Sequence, residues 1–244
     1  MMISSLWHRV VYQPLYNILT YFIGVLPGHS VGLSIILLTI IVRVALFPLT
    51  GKSIRAQQAM KALEPELKQI KEKHKDDKQL QAKKTMELYQ EKGVTPFSGC
   101  LPLFIQIPII IGLYMVFKGL SNIDPSLLYS FIEHPGDYEM HFLIFDLAGK
   151  SAILAGFAGI TQYFQTDLSL GRAKAQEVPK KENTGVPSFQ EDLAKSMQVQ
   201  MRYVLPVMIS FIAFNTSAAV ALYWTTSNIL SIVQELTIKK GAKK

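Results

Sequence analysis

Long apolar runs separated by charged segments dominate the chain, and this pattern predicts a helical membrane protein. A bilayer core about 30 Å thick needs about 20 helical residues to cross it. Five stretches approach that length, and a short polar linker between the last two predicts a tight antiparallel hairpin. We therefore predict an all-α, polytopic fold with five transmembrane helices, an external interfacial helix and a cytoplasmic helical hairpin.

The same pattern divides the chain into consecutive segments. They are an interfacial amphipathic helix (1–30), a first span (31–50), a cytoplasmic hairpin (51–96), a second span (97–117), an external loop (118–146), a third span (147–165), a cytoplasmic loop (166–202), a fourth span (203–216), a fifth span (217–238) and a basic cytoplasmic tail (239–244). The fourth span is too short to cross a full-thickness bilayer unaided, which favours local thinning of the membrane.

The first 26 residues carry a polar stripe at helical spacing, formed by Ser5, Arg9, Gln13, Asn17, Thr20 and Gly24. Such a stripe on an otherwise apolar helix is typical of a helix that lies in the membrane interface, here ending at Pro27 and Gly28. An additional spanning helix is the alternative, against which Pro14 and Arg9 argue. No short apolar core with a small-residue cleavage site is evident, so we expect no removable targeting segment.

The cytoplasmic hairpin is predicted from two amphipathic patterns. The first helix places Leu63, Leu67 and Ile70 on one face, and the second does the same with Ala82, Met86 and Tyr89. Asp76 or Asp77 can cap the second helix. Gly93 is placed to end it.

Charge then sets the orientation. Only 18% of residues are charged, and 21 of the 25 Lys and Arg residues fall in segments 51–96, 166–202 and 239–244. Cytoplasmic loops carry the excess of Lys and Arg, so the N-terminus is predicted outside and the C-terminus inside. The net charge of +7 is thereby explained by topology, and we expect no direct nucleic-acid partner. Cys100 is the single cysteine, which excludes an intramolecular disulfide.

Arg43 lies within the first predicted span, where a charge costs at least about 2.5–3.5 kcal/mol. One interpretation is that its long side chain reaches the cytoplasmic headgroups. The other is a hydrophilic inner-leaflet groove that keeps the guanidinium hydrated and available to a transient anionic guest. No other span offers a clear buried acid, since Glu235 lies near the end of its helix. The second interpretation is therefore favoured.

Four further residues are candidates to line this groove: Gln106, Gln162, Trp224 and Thr225. Thr225 opens a polar run that continues to Asn228. Ordinary interhelical hydrogen bonding is the alternative for that run, and plain packing is the alternative for Trp224.

Signatures of enzymes are absent from the sequence. The Gly-Lys-Ser at 51–53 lacks the earlier glycine of a phosphate-binding loop. His134 and His141 are a weak basis for a metal site. We expect neither an enzyme nor a bound cofactor or metal.

Several stretches resemble the YidC/Oxa/Alb family of membrane protein insertases. They are IVR at 41–43, FPLT at 47–50, LEPEL at 63–67 with Ile70 and Lys71, ELY at 87–89, GVTP at 93–96, GCLPLFIQIP at 99–108 and LYWTTSN at 222–228. The matching stretches occur in the same order over nearly the whole chain, and the run at 99–108 is the most specific.

This resemblance implies a five-helix core with a groove open to cytoplasm and lipid, and it makes Arg43 the groove arginine. It implies an insertase and chaperone that inserts and helps fold nascent membrane proteins in the bacterial plasma membrane without nucleotide hydrolysis. The ribosome, the Sec translocon and the lipid bilayer are the further candidate partners. A small-anion transporter or channel, and a structural assembly factor that docks through the hairpin, are the competing hypotheses.

Overall fold

The computed structural model describes residues 6–75, 77–94, 101–120, 122–170, 196 and 199–241. The described chain is mostly helical. Its elements are α1 (Gln13–Val25), α2 (Val31–Ala62), α3 (Glu64–Lys73), α4 (Lys78–Glu91), α5 (Leu101–Gly119), strands β1 (His141–Phe142) and β2 (Phe145–Asp146), α6 (Ala152–Leu170), α7 (Leu205–Asn215) and α8 (Ala218–Gly241). Short π-helical segments, His8–Tyr12 and Gln200–Val204, directly precede α1 and α7.

Helix α2 begins at the predicted position but continues beyond the predicted end of the first span. Ser30 caps its start by accepting a hydrogen bond from Leu33 N at 3.4 Å. The helix runs through Pro48 and ends at Ala62, so the boundary predicted between residues 50 and 51 is not a break in the helix. Residues 51–62 contain few turn-forming residues, and the chain turns at Leu63, just before Pro65.

Helices α3 and α4 form the predicted hairpin, with one of the two predicted faces wrong. Asp77 Oδ1 accepts a hydrogen bond from Leu80 N at 2.9 Å, and Gly93 ends α4 with φ at 63°, as predicted. Asp76 lies outside the described residues. Met86 is half exposed, whereas Leu88 is buried, so the inward face of α4 is centred on Leu88. Spacing alone selected the predicted face, and two of its three members, Ala82 and Met86, are exposed.

Helices α2, α6, α7 and α8 pack together into the main bundle, with α6 between α7 and α8. Gly159 permits the close approach of α6 and α7, because a Cβ there would lie 1.8 Å from Ser210 Oγ. We call the end where α2, α6 and α8 begin the upper end, and the opposite end the lower end.

A short β-hairpin, absent from the sequence prediction, lies at the upper end. Strands β1 and β2 pair antiparallel, and Leu147 directly after them is fully buried. Its amide donates to Met140 O at 2.9 Å, and its carbonyl accepts from Ala219 N at 3.1 Å. These contacts hold Leu147 outside a helix, so the start predicted for the third span at residue 147 is wrong; α6 begins at Ala152.

Helix α1 packs on the bundle and on the loop after α5. Two residues of its polar stripe, Asn17 and Thr20, are buried instead of facing water. Asn17 donates to Leu127 O at 2.9 Å and accepts from Tyr129 N at 2.7 Å. Asn17 therefore satisfies backbone groups of the loop, whereas Thr20 donates within its own helix to Tyr16 O at 2.9 Å.

The remaining boundaries differ from prediction by a few residues. Helix α6 continues to Leu170, into the predicted cytoplasmic loop, and α8 continues to Gly241. Among the described residues, the stretch Val31–Ile70 is the one helical segment whose length and composition suit a membrane crossing. A shorter apolar segment covers Gln106–Gly119. The five-span arrangement stays a prediction.

Candidate functional site

Arg43 projects from α2 towards α8 and is half-buried. Its Nε donates to Ser227 Oγ at 2.9 Å, and Nη2 donates to the same oxygen. Ser227 is fully buried on α8. A neutral hydroxyl in this position orients the guanidinium without cancelling its charge.

Two more side chains extend this polar contact towards α5. Tyr223 lies one helical turn before Ser227, is buried, and interacts with both Arg43 and Ser227. Gln106 of α5 donates from Nε2 to Tyr223 OH at 2.6 Å. We call these four residues, Arg43, Gln106, Tyr223 and Ser227, the Arg43 cluster.

The Arg43 cluster contains no carboxylate. No salt bridge to Arg43 occurs among the residues that the structure describes. Glu235, the acid of α8, instead pairs with Lys239 at 2.9 Å. A guanidinium carries five N–H donors, and the contacts with Ser227 use only two of its three nitrogens. The arrangement can therefore accept an anionic or polar guest beside Ser227.

Helices α2 and α8 run in the same direction, and their polar contacts repeat. Arg43 contacts Ser227. Thr50, seven residues after Arg43, contacts Gln234, which lies seven residues after Ser227. Gln234 Nε2 donates to Thr50 Oγ1 at 2.7 Å and to Phe47 O at 3.1 Å. A seven-residue repeat is the spacing that keeps two parallel helices facing each other over several turns.

The structure brings Arg43 and Gln106 of the predicted site residues into one cluster and places the other three differently. Gln162 is buried on α6, where it donates to Gln165 Oε1 at 3.2 Å and to Thr166 Oγ1 at 3.1 Å within its own helix. Thr225 donates to Ala221 O at 2.9 Å along α8. Trp224 is buried in the apolar core.

Ser227 and Tyr223 are the members of the cluster that sequence reasoning did not select. Both stand in the run at 222–228 from which Trp224 and Thr225 were chosen. Residues four apart share a helix face, so the spacing of Tyr223 and Ser227 is the sequence signal that predicts one polar face for this pair.

Potential metal ligands do not cluster in the described part of the chain. No group of three or more His, Cys, Asp or Glu side chains suited to a metal ion occurs there.

Comparisons with known proteins agree with the predicted family resemblance. Residues 22–244 match the model of the 60Kd inner membrane protein family. The membrane protein insertase MisCA of Bacillus subtilis is 35% identical over 96% of this chain and 79% of the relative. The membrane protein insertase YidC 2 of Bacillus anthracis is 33% identical over 97% of this chain and 82% of the relative.

A solved structure shares the fold. It is described as an active YidC insertase with its first transmembrane domain resolved, and it aligns with a TM-score of 0.56 at 22% identity over 97% of this chain. The chain spans about half of that protein, 49% of its length. With the family model matched over most of its length, this chain belongs to the 60Kd inner membrane protein family, which includes the YidC insertases.

Proposed function

We propose that this protein is a membrane protein insertase and chaperone that receives nascent membrane proteins at the Arg43 cluster, without nucleotide hydrolysis or a cofactor. The names of its relatives support the activity. The ribosome and the Sec translocon are proposed as further partners that deliver or accept the client.

Exposed apolar faces support a position within the bilayer. Four exposed residues of α6 follow helical spacing along one face: Ile153, Phe157, Ile160 and Phe164. Helix α7 likewise exposes Val207 and Phe211, and Val204 directly before it is also exposed. Continuous apolar surface of this kind is unfavourable in water and suits lipid. We place five spans in the bacterial plasma membrane, with the upper end outside and the lower end in the cytoplasm.

One observation carries the proposed role of Arg43: it is hydrogen-bonded to an uncharged hydroxyl and is only half-buried. A permanent acidic partner would satisfy the charge and leave no attraction for a client. A cation held by Ser227 keeps its position while remaining available. Charge-assisted hydrogen bonds contribute about 1.5–3 kcal/mol, which is enough for transient capture and too little to prevent release.

We base the proposed mechanism on this geometry. The polar tail of a client would otherwise cross about 30 Å of hydrocarbon. A hydrated groove open to the cytoplasm shortens that path, and Arg43 attracts the carboxylates of the tail. A membrane potential that is positive outside favours outward movement of each negative charge by about 2.3 kcal/mol per 100 mV. The apolar helix of the client then leaves sideways into lipid.

Site-specific crosslinking to a stalled nascent chain tests the proposal. A photoreactive residue at position 43 should capture a single-span client with an acidic tail. Because that change removes the arginine, a second probe at position 106 keeps Arg43 in place. A probe at exposed position 55 on the same helix is the control. Capture at 55 alone would contradict the proposed site.

The activity itself is tested with Arg43→Ala in liposomes. We expect insertion of an acidic-tailed client to fall about tenfold or more, the equivalent of one charge-assisted hydrogen bond. Arg55→Ala removes an exposed arginine from the same helix and should leave insertion unchanged. Equal insertion by both variants for several acidic clients would remove Arg43 from the mechanism.

A further inference from the structure

The turn of the β-hairpin exposes two large apolar side chains, Leu143 and Ile144, each 82% exposed. We propose that this turn inserts into the outer leaflet, with lipid acyl chains as its partner, and so anchors the upper end of the bundle in the membrane. The inference rests on the proposed location of the protein in a bilayer. It concerns a surface remote from the Arg43 cluster.

The chemistry of the turn is unusual for one that faces water. Two-residue hairpin turns normally use Gly, Asn or Asp, because a central residue must adopt positive φ. Leu143 occupies that position with φ at 55°. A bulky residue in the left-handed region is disfavoured, and such outliers persist where another interaction requires them. Two large apolar side chains at a turn that glycine would adopt without strain are expected where the tip lies in an apolar environment.

The base of the hairpin is fixed to the ends of two helices. Phe142 packs on Gly32 in the first turn of α2, where a Cβ would lie 2.3 Å from its ring. After β2, Gly149 O accepts a hydrogen bond from Ala218 N of α8 at 2.7 Å. Leu143 follows Phe142 directly, so the tip lies beside the first turn of α2. This is the level at which the proposed first span enters the membrane.

The tip of the hairpin adjoins exposed apolar surface of α2 that we propose faces lipid. Lipid is therefore the expected partner of the tip. Leu33, in the same turn of α2 as Gly32, is also exposed. At the base of the hairpin, the exposed residues are polar, namely His141 and Asp146. An apolar tip on a polar base matches the change from acyl chains to headgroups across a membrane interface.

Fluorescence of a labelled turn tests the inference. In a Cys100→Ser background, Ile144→Cys is labelled with an environment-sensitive dye, and the protein is reconstituted in phosphatidylcholine vesicles. We expect blue-shifted emission, quenching by lipid that carries a nitroxide high on the acyl chain, and little quenching by aqueous iodide. Ser126→Cys, exposed in the same loop, is the water-facing control.

Val207→Cys on the exposed face of α7 is the bilayer control and separates two kinds of failure. If Val207→Cys is quenched by lipid and Ile144→Cys behaves like Ser126→Cys, the anchoring proposal is overturned while the membrane location stands. If neither position is quenched by lipid, the membrane location and the anchor both fail. Leu143→Gly combined with Ile144→Cys retains the turn and should reduce the lipid quenching of the dye.

Discussion

Helices α2 and α8 contact each other through polar side chains at two levels, seven residues apart on each helix. The polar groups at the two levels have different kinds of partner. At the lower level, which we call the end cluster, Thr50, Gln234, Glu235 and Lys239 find partners among themselves and in neighbouring backbone. At the Arg43 cluster, the cation meets only neutral groups in the described chain. The lower level therefore serves packing, whereas the Arg43 cluster keeps hydrogen-bonding capacity, which we propose is used by a client.

The largest expected effect comes from giving Arg43 the acid that it lacks. Ser227→Asp places a carboxylate where the hydroxyl now accepts from Nε at 2.9 Å. A resident ion pair would compete with every client carboxylate, and we expect insertion to fall about tenfold to a hundredfold. Insertion kinetics in liposomes measure this. Ser227→Asn, a neutral side chain of similar size, should retain most activity; equal loss in both variants would show that shape, not charge, matters there.

The next effect in size is on stability at the end cluster. Lys239 pairs with buried Glu235 and donates to Leu168 O at 2.6 Å, near the end of α6. Lys239→Met leaves a buried carboxylate without its partner, at a cost of about 1–3 kcal/mol in unfolding free energy. Thermal unfolding in detergent measures the loss. The double variant Lys239→Met with Glu235→Gln should recover part of it, and no recovery would contradict the pairing.

Sequence reasoning located the cation and the helices better than it located their partners. Arg43 was identifiable because a charge inside a long apolar run is costly in a membrane, whichever direction its side chain faces. Its contact with Ser227 depends on the register between two helices far apart in the chain, which periodicity within either helix does not contain. Gln162 shows the same limit: its position in the span was clear, yet its amide is satisfied within its own helix.

Boundaries were missed for a related reason. Leu147 is as apolar as a span residue, yet its backbone pairs with Met140 and Ala219, and α6 begins only after it. The buried stripe of α1 likewise depends on a loop more than a hundred residues away, through Asn17 and Tyr129. Long-range backbone contacts of this kind override local pattern.

A double-mutant cycle sharpens the contrast between the two levels. Thr50→Val and Gln234→Leu each remove the side-chain hydrogen bond while keeping volume. We expect a coupling free energy of about 0.6 kcal/mol, typical of interhelical hydrogen bonds in membranes, and unchanged insertion. The cycle is measured by unfolding in detergent. Loss of insertion in the fully folded Gln234→Leu variant would mean that the end cluster also handles the client.

Of the two changes to Arg43 itself, Arg43→Lys is expected to have the smaller effect, and it distinguishes attraction by charge from a geometric fit. An ammonium keeps the positive charge and three donors but loses the planar fork of the guanidinium. If Arg43 attracts tail carboxylates transiently, Arg43→Lys should reduce insertion by less than about tenfold, the equivalent of 1.4 kcal/mol. Clients with one, two or three tail carboxylates should then show the same ranking in both proteins. If Arg43→Lys is instead as defective as Arg43→Ala, the guanidinium recognises a fixed geometry. The proposal that Arg43 holds a hydrated client carboxylate only transiently would then be wrong.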